Sequence, residues 1–226
     1  MEVKTLKFRH EYKHQINLSD IYGLRARLSA IAKYDQNANE DGTYFIRSLY
    51  FDNYMDKALR EKQDGVNKRE KFRIRYYGTD TSFIKLEKKS KINGLCNKVS
   101  CMITAEECQK IIDGNFEFLL YSDRELMREL YAKMKYQLLR PKCIVGYTRE
   151  CYVYPPGNVR VTLDMNICGS NNVKEFLNPE LKLLQTYHNS VLEVKWDEYL
   201  PGIIRDSVQV KSRRSAAFSK YAAVRF

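Results

Sequence analysis

The chain has 226 residues, of which 44% are hydrophobic and 12% aromatic, a composition that supports a buried core and argues against intrinsic disorder. Lys and Arg total 39 against 28 Asp and Glu, and the formal charge of +11 indicates a polyanionic partner: nucleic acid, an anionic membrane or a phosphate-rich small molecule. No apolar run reaches the about 18 residues that a membrane-spanning helix needs, and no signal-peptide core follows Met1.

The pattern of apolar residues predicts strands with a few helices between them. In chain order we expect a strand over 6–16, a helix over 18–33, strands over 43–52, 68–78, 81–90 and 95–103, helices from Thr104 and from Ser122 to Leu138, strands over 142–154, 158–167 and 191–196, and helical segments near 202–209 and 213–223. No linker or repeat divides the chain, so we expect one domain over residues 1–226. The irregular order of elements predicts an α+β fold with a mainly antiparallel sheet.

The cysteines and histidines show no metal-ligand spacing. No CxxC pair occurs among Cys96, Cys101, Cys108, Cys143, Cys151 and Cys168, and the three histidines do not stand at zinc-ligand distances from them. A chain of this size does not need disulfides to stabilise its core. We therefore expect reduced thiols, a cytoplasmic location and no zinc site.

Five of the predicted strands carry charge on one face and apolar side chains on the other, since residues two apart share a face. The charged sets are Lys7, Arg9, Glu11 and Lys13; Arg69, Lys71, Arg73 and Arg75; Lys85, Glu87 and Lys89; Arg160 and Asp164; and Glu193 and Lys195. Like charges on neighbouring strands repel, so a bound anion would stabilise such a face. If the sheet closes, the charged face lines a tunnel. The alternative is an ordinary amphipathic sheet with its charges in solvent.

A set of short motifs occurs in a fixed order along nearly the whole chain. They are Arg9-His10-Glu11-Tyr12-Lys13, Ser48-Leu49-Tyr50-Phe51-Asp52-Asn53, Phe72-Arg73-Ile74-Arg75-Tyr76-Tyr77-Gly78, Leu86-Glu87-Lys88-Lys89, Leu139-Arg140-Pro141, Tyr147-Thr148-Arg149, Val159-Arg160-Val161-Thr162-Leu163-Asp164, Leu192-Glu193-Val194-Lys195 and Phe218-Ser219-Lys220. The ordered set resembles the VTC-domain polyphosphate polymerases of the triphosphate tunnel metalloenzyme (CYTH-like) superfamily. The resemblance implies a closed eight-stranded antiparallel β-barrel, the triphosphate tunnel, with flanking helices.

The resemblance also implies the residues of the site. The phosphate-contacting, catalytic side chains would be Lys13, Arg73, Arg75, Lys89, Lys98, Arg149, Arg160 and Lys220. Further substrate-binding candidates are Arg9, Arg47, Lys85 and Lys195. The ligands for Mn²⁺ or Mg²⁺ would be Glu193, helped by Glu11 or Glu87. The acidic motif of the first strand is only partial, since Arg occupies position 9. We also expect a stand-alone member, without an inositol-phosphate-sensing domain.

The implied activity is transfer of the ATP γ-phosphate to a growing chain of inorganic polyphosphate. ATP and polyphosphate would be the partners, with no nucleic acid and no membrane span in this chain, and any membrane partner protein is unknown. Three alternatives remain open at this point. They are a tunnel-fold inorganic or nucleoside triphosphatase, a non-catalytic polyphosphate-binding module, and a nucleic-acid binder, which would need an outer basic stripe with stacking aromatic residues.

Overall fold

The computed structural model describes residues 9–211, 215 and 217–225, so Lys7 of the first predicted strand and residues 213, 214 and 216 of the last predicted helix lie outside it. The strands are β1 (His10–Ile16), β2 (Lys33–Tyr34), β3 (Thr43–Asp52), β4 (Arg69–Tyr77), β5 (Asp80–Ile92), β6 (Leu95–Ile103), β7 (Arg140–Tyr154), β8 (Val159–Ser170), β9 (Leu184–Tyr187) and β10 (Ser190–Trp196). The α-helices are α1 (Leu18–Ser29), α2 (Lys57–Gln63), α3 (Ala105–Ile112), α4 (Glu125–Tyr136), α5 (Gly202–Ser207) and α6 (Lys220–Val224).

Several elements match their predicted positions. Strands β3 and β6 have the predicted bounds, and α3 begins behind Thr104, which forms the predicted capping box with Glu107. Helix α1 is capped by Asn17 and ends at Ser29, short of the predicted residue 33, because β2 leaves the helix to pair with β7. Helix α2 was not predicted. It buries none of its residues, so it lacks the apolar period by which a helix is recognised.

Eight strands form one antiparallel sheet in the order β1-β10-β8-β7-β3-β4-β5-β6, with β2 and β9 paired to β7 and β8 off this path. The sheet curls until its two edges approach each other, and within the described residues one bridge, Arg9 to Cys96, joins them. The prediction of a closed barrel is therefore correct only in part. In the described part of the chain a side-chain contact continues the seam, since Lys89 Nζ lies 2.8 Å from Glu11 Oε2.

Helices cover the outer, apolar face of the curled sheet in two groups. Helices α3 and α4 pack on β3–β6, where Leu130 and Met134 meet Ile74 and Leu86. Helices α1 and α5 pack on β1, β8 and β10, with Leu24 of α1 among the buried residues. The apolar strand faces are thus buried outside, and the charged faces point into the curl. No helix in the described residues is both long and apolar enough to cross a membrane.

Helix α6 packs against β7, β8 and β9 at one end of the curl. Val224 lies so close to Gly169 that a Cβ there would fall 1.9 Å from the valine side chain. The phenol of Tyr221 donates to the buried carboxylate of Asp52 (O to O, 2.7 Å) and its ring stacks on Tyr50. These contacts place Lys220 at the inner face of the sheet.

Candidate functional site

The curled sheet encloses a cavity of about 370 Å³, here called the main chamber. The described residues of its lining include eleven cationic side chains but two carboxylates, Glu11 and Glu193. The cations are Arg9, Lys13, Lys71, Arg73, Arg75, Lys89, Lys98, Arg149, Arg160, Lys195 and Lys220. A cavity with this excess of positive charge stabilises a bound polyanion.

A second cavity of about 260 Å³, the side chamber, adjoins the first. The two share seven lining residues: Glu11, Lys13, Lys71, Lys89, Cys96, Phe218 and Ser219. Beyond these, Lys62 of α2, Arg69 of β4 and Lys91 of β5 line the side chamber. The two chambers therefore adjoin at Lys13, Lys71 and Lys89, which line both of them.

Strands β1, β8 and β10 form one wall of the main chamber, defined by Glu11, Lys13, Asp164, Glu193 and Lys195 and called the acidic wall. Lys13 Nζ stands between two carboxylates, 3.4 Å from Glu11 Oε1 and 3.7 Å from Glu193 Oε1. Lys195 Nζ contacts Glu193 at 2.8 Å. Register explains the grouping, because Lys13 is paired with Glu193, and Glu11 with Lys195, on adjacent strands.

Burial alone would raise the pKa values of these carboxyl groups, but the neighbouring cations outweigh it. Lys13 and Lys89 lower the pKa of Glu11 to about 2. Lys13 and Lys195 hold the pKa of Glu193 well below its usual range. Arg149 and Lys220 lower the pKa of Asp164 to about 2. All three carboxylates are therefore ionised at neutral pH.

Asp164 fixes two cations that strands and helix bring from different directions. Arg149 of β7 binds it through two nitrogens, with Nε to Oδ1 at 2.6 Å and Nη2 to Oδ2 at 2.8 Å. Lys220 of α6 forms an ion pair with the same carboxylate. Its ammonium also lies 4.6 Å from the ring centre of Tyr147. Both cations are held in place before a ligand arrives.

The opposite wall, the basic wall, consists of Tyr50 on β3 and Lys71, Arg73 and Arg75 on β4. Arg75 bonds neutral oxygens: Ser48 Oγ at 3.0 Å and the Tyr147 hydroxyl at 2.8 Å. Lys71 lies over the ring of Tyr50. Among the described residues no carboxylate forms an ion pair with either cation. Within the described protein neither charge is therefore neutralised by a direct ion pair, and Glu87 acts on Arg75 only at longer range.

Arg73 differs from its neighbours on β4, because Glu87 of β5 contacts it at 2.7 Å and holds Lys98 at 2.9 Å. Arg73 also donates to the Tyr50 hydroxyl at 3.0 Å. Burial would raise the pKa of Tyr50, but Arg73 and Lys71 outweigh it and lower that pKa to about 7. Burial, with Lys89 and Arg73 adding to it, lowers the pKa of Lys71 to about 8.

The structure brings twelve of the predicted site residues into the lining of the main chamber and leaves three out of it. Those in the lining are Lys13, Arg73, Arg75, Lys89, Lys98, Arg149, Arg160, Lys220, Arg9, Lys195, Glu11 and Glu193. Arg160 is turned toward Asp35 and Cys151, and Arg9 toward Asp197. Those outside the lining are Arg47, Lys85 and Glu87.

The three residues outside the lining of the main chamber lie there for different reasons. Arg47 shares the outer face of β3 with Leu49 and Phe51, where it donates to the carbonyl of Asn178 at 2.5 Å, so its prediction as a substrate contact is corrected. Lys85 pairs in register with Arg75 on the inner side but lies over the ring of Phe83, outside both chambers. Glu87 is engaged by Arg73 and Lys98, away from the Glu11 and Glu193 pair.

Sequence reasoning omitted three residues of this site. Lys71 has the same strand phase as Arg73 and Arg75, which was the signal that could have placed it among the phosphate contacts. Tyr50 and Tyr147 were not predicted as site residues, yet their hydroxyl groups accept hydrogen bonds from Arg73 and Arg75. Such hydrogen bonds depend on cross-strand register, which a single sequence does not show.

The donor set of the acidic wall fits a divalent cation. Glu11 and Glu193 flank the same ammonium group and are both ionised, and hard ions such as Mg²⁺ and Mn²⁺ prefer oxygen ligands. Among the described residues no group of three His, Cys, Asp or Glu side chains forms a complete cage. A cation here would therefore take its other ligands from water and from phosphate oxygens.

Comparison with known proteins gives one family and one fold. The family model described as the VTC domain matches residues 8–225. No curated protein sequence matches the chain. Three solved structures illustrate the shared fold. A Hippeastrum protein, described as an adenylyl cyclase candidate with a dominant triphosphatase activity, is 15% identical with a TM-score of 0.56, covering 95% of this chain and 93% of its own.

A protein from Pyrococcus horikoshii is 13% identical with a TM-score of 0.53, and the alignment covers 96% of this chain and 99% of that one. An adenylate cyclase candidate from Bacillus halodurans is 13% identical with a TM-score of 0.51, covering 84% of this chain and 80% of its own. At these identities the likeness establishes the tunnel fold alone.

Proposed function

The chain belongs to the VTC domain family, and from that membership and the geometry of the main chamber we propose that it is an ATP–polyphosphate phosphotransferase. Its substrates would be ATP and a chain of inorganic polyphosphate, and it would act in the cytoplasm. The observation that carries the proposal is the pair of unlike walls. Uncompensated Arg75 and Lys71 face ionised Glu11 and Glu193 across one enclosed chamber.

Phosphoryl transfer asks a protein chiefly to position phosphates and to neutralise the charge on their oxygens. Arg73, Arg75 and Arg149 present planar guanidinium groups, which bind two phosphate oxygens at once. Lys13, Lys89 and Lys220 add point charges around the same space. Because side-chain and backbone contacts already hold these groups, little ordering remains to be done when substrate binds.

Glu193, with Glu11 beside it, would hold the Mn²⁺ or Mg²⁺ ion. That ion would supply a positive centre for phosphate oxygens, as it does in other phosphoryl-transfer enzymes. The role of Lys13 and Lys195 in this wall is to keep both carboxylates ionised and aligned. Both lysines are held by these carboxylates, Lys13 by Glu11 and Glu193 and Lys195 by Glu193.

The attacking group would be the terminal phosphate of the chain, which is already anionic. Such a nucleophile needs no strong general base, in contrast to water or a hydroxyl group. The residues of the chamber then have two tasks: to bring the two anionic phosphates together and to limit competing water. The basic wall performs the first by offsetting their mutual repulsion.

The test is chain growth. Purified protein given γ-labelled ATP and Mn²⁺ should form acid-insoluble phosphate polymer, and Glu193→Gln should abolish most of it. Exposed Glu180, which lies outside both chambers, supplies a matched control, because Glu180→Gln should leave chain growth intact. No polymer with the native protein, or no effect of Glu193→Gln, would contradict the proposal.

One observation favours a second candidate, a tunnel-fold triphosphatase. The pKa of Tyr50 is lowered to about 7, so near neutral pH its phenolate would be available to accept a proton from water inside the chamber. The Hippeastrum structure, described as having triphosphatase activity, has the same fold. The same assay separates the two candidates. Release of free phosphate without polymer, lost in Tyr50→Phe, would identify the hydrolase.

A further inference from the structure

The side chamber has an unusual charge pattern. Around the main chamber, Glu11 and Glu193 of the lining, with Asp164 and Glu87 outside the lining, form ion pairs with most of the cations. Toward the side chamber this compensation ends. Arg69 lies directly opposite Lys91, and Lys71 directly opposite Lys89, in the register of β4 and β5. Like charges in directly opposed positions destabilise a sheet.

The three cations that belong to the side chamber alone are not offset by acids. Lys62 Nζ donates to the carbonyl of Ala217 at 2.9 Å, and Arg69 donates to the carbonyl of Val66. No carboxylate in the described residues forms an ion pair with Lys62, Arg69 or Lys91. Burial, together with the charges of Arg69, Lys13 and Lys91, lowers the pKa of Lys62, a sign that these cations repel one another.

Carboxylates in the lining of the side chamber are already committed elsewhere. Glu70 forms an ion pair with Lys133 of α4, which lies outside the curl. Glu11 is shared by Lys13 and Lys89 where the two chambers adjoin. Glu11 offsets part of the repulsion at Lys62, and an anion from outside the protein would offset the rest.

We propose that the side chamber is a second anion-binding site, which holds the phosphate units of a polyphosphate chain that extend beyond the main chamber. The ligand is a linear polyanion, because the two chambers adjoin at Lys13, Lys71 and Lys89. Lys62, Arg69 and Lys91 bind its next phosphates. A triphosphate occupies the main chamber alone. The inference rests on the proposed function for its choice of ligand, but it concerns binding and not turnover.

The test compares two ligands on one variant. We would measure the affinity of inorganic tripolyphosphate and of long-chain polyphosphate for the full chain and for the triple variant Lys62→Gln, Arg69→Gln, Lys91→Gln. The expected result is an about 10- to 100-fold loss of affinity for the long chain, with the slope of log affinity against log salt reduced by up to about three. Tripolyphosphate affinity should change much less than long-chain affinity.

A matched control removes three cations that are exposed and outside both chambers: Lys33→Gln, Lys174→Gln, Lys182→Gln. If this control lowers the affinity for long-chain polyphosphate as much as the first variant does, the overall charge of the protein is responsible and the proposal is overturned. Equal loss for both ligands, or no loss for either, also overturns it. If the triple variant does not fold, Lys62→Gln alone serves, because α2 buries none of its residues.

Failure of chain growth would overturn the proposed function but not this site, because the binding difference needs no turnover. Conversely, the native protein could be found to make polymer while the triple variant binds long chains as well as the native protein does. The proposed function would then stand, and the side-chamber site would be overturned.

Discussion

The two walls of the main chamber solve the problem of buried charge in opposite ways. On the acidic wall Lys13 and Lys195 both contact Glu193, and Lys13 also contacts Glu11. On the basic wall Arg75 bonds only neutral oxygens and Lys71 lies on an aromatic ring. The first wall is internally neutralised, whereas the second leaves positive charge for a ligand.

The difference between the two walls indicates where each component of the ligand is expected to bind. A buried cation without a counter-charge costs free energy, which binding of an anion recovers. Carboxylates held ionised by neighbouring lysines can instead accept a metal ion, whose charge replaces part of the lysine interaction. Phosphate is therefore expected nearer Arg75 and Lys71, and the metal nearer Glu193.

The strongest test removes the uncompensated guanidinium of the basic wall. Arg75→Gln should lower kcat/KM for ATP by about 10²- to 10³-fold, the effect expected when one charge-stabilising donor is lost. Arg75→Lys should recover only part of it, because an ammonium group on a shorter reach cannot bond Ser48 and Tyr147 together. Steady-state kinetics and tripolyphosphate calorimetry measure both variants.

Arg47 provides the matched control on the neighbouring strand. It faces outward and donates to loop carbonyls, so Arg47→Gln should lower the melting temperature while leaving tripolyphosphate affinity unchanged. A larger affinity loss in Arg47→Gln than in Arg75→Gln would show that the assignment of the inner face is wrong.

The acidic wall is tested through its metal dependence. Glu193→Gln should raise the Mn²⁺ concentration that gives half-maximal activity by roughly 10- to 100-fold, the range seen when the ligand environment of a metal is disrupted. Glu87→Gln should leave this concentration unchanged, because Glu87 is engaged by Arg73 and Lys98 on the other side. Activity is titrated with Mn²⁺ in both variants. An equal increase in the half-maximal Mn²⁺ concentration for Glu193→Gln and Glu87→Gln would place the metal elsewhere.

Strand phase predicted the inner faces well, because the period of two is a local property of the chain. It placed Lys13, Arg73 and Glu193 on charged faces, and the same rule would have put Arg47 with Leu49 on the outer face. Phase does not report which residues meet across strands. The separation of Glu87 from Glu193 follows from long-range register, and so does the seam that, in the described residues, is bridged at Arg9 and Cys96. Strand phase alone does not fix that register.

Helix α6 links the acidic wall to the rest of the fold, and Asp52 anchors it. Asp52 is 1% exposed, and its carboxylate accepts hydrogen bonds from the amides of Ala58 and Leu59 and from the Tyr221 hydroxyl. Asp52→Asn puts a donor where acceptors are needed, so we expect a loss of about 1–3 kcal/mol in the free energy of unfolding. Displacement of Lys220 should also lower tripolyphosphate affinity several-fold.

Tyr221→Phe is the milder companion, since it removes the bonds of the phenol with Asp52 and Arg225 but leaves the α2 amides bonded. Urea denaturation and calorimetry on both variants provide the comparison. If Asp52→Asn lowers stability but leaves tripolyphosphate affinity at the native value, then α6 supports the fold without positioning Lys220 for the ligand.

The smallest expected effect is a pH dependence of the basic wall. Tyr50, with its pKa lowered to about 7, is neutral below that pH and anionic above it. Rising pH therefore removes net positive charge from the wall, and tripolyphosphate affinity should fall by a few-fold between pH 6 and 8, roughly the range of this titration. Tyr50→Phe should make that part of the profile shallower, and the remaining fall belongs to Lys71, whose pKa is lowered to about 8. The ligand's own ionisation cancels because both proteins are measured with the same ligand.

Tyrosinate absorbance gives an independent measure of the same group. The native protein should show one tyrosine ionising near neutral pH, absent from Tyr50→Phe. Saturation with tripolyphosphate should move that ionisation to higher pH, because a bound anion disfavours a phenolate beside it. A titration that is unaffected by the ligand would mean that phosphate does not bind against the basic wall, and the division of labour between the two walls would then have to be reversed.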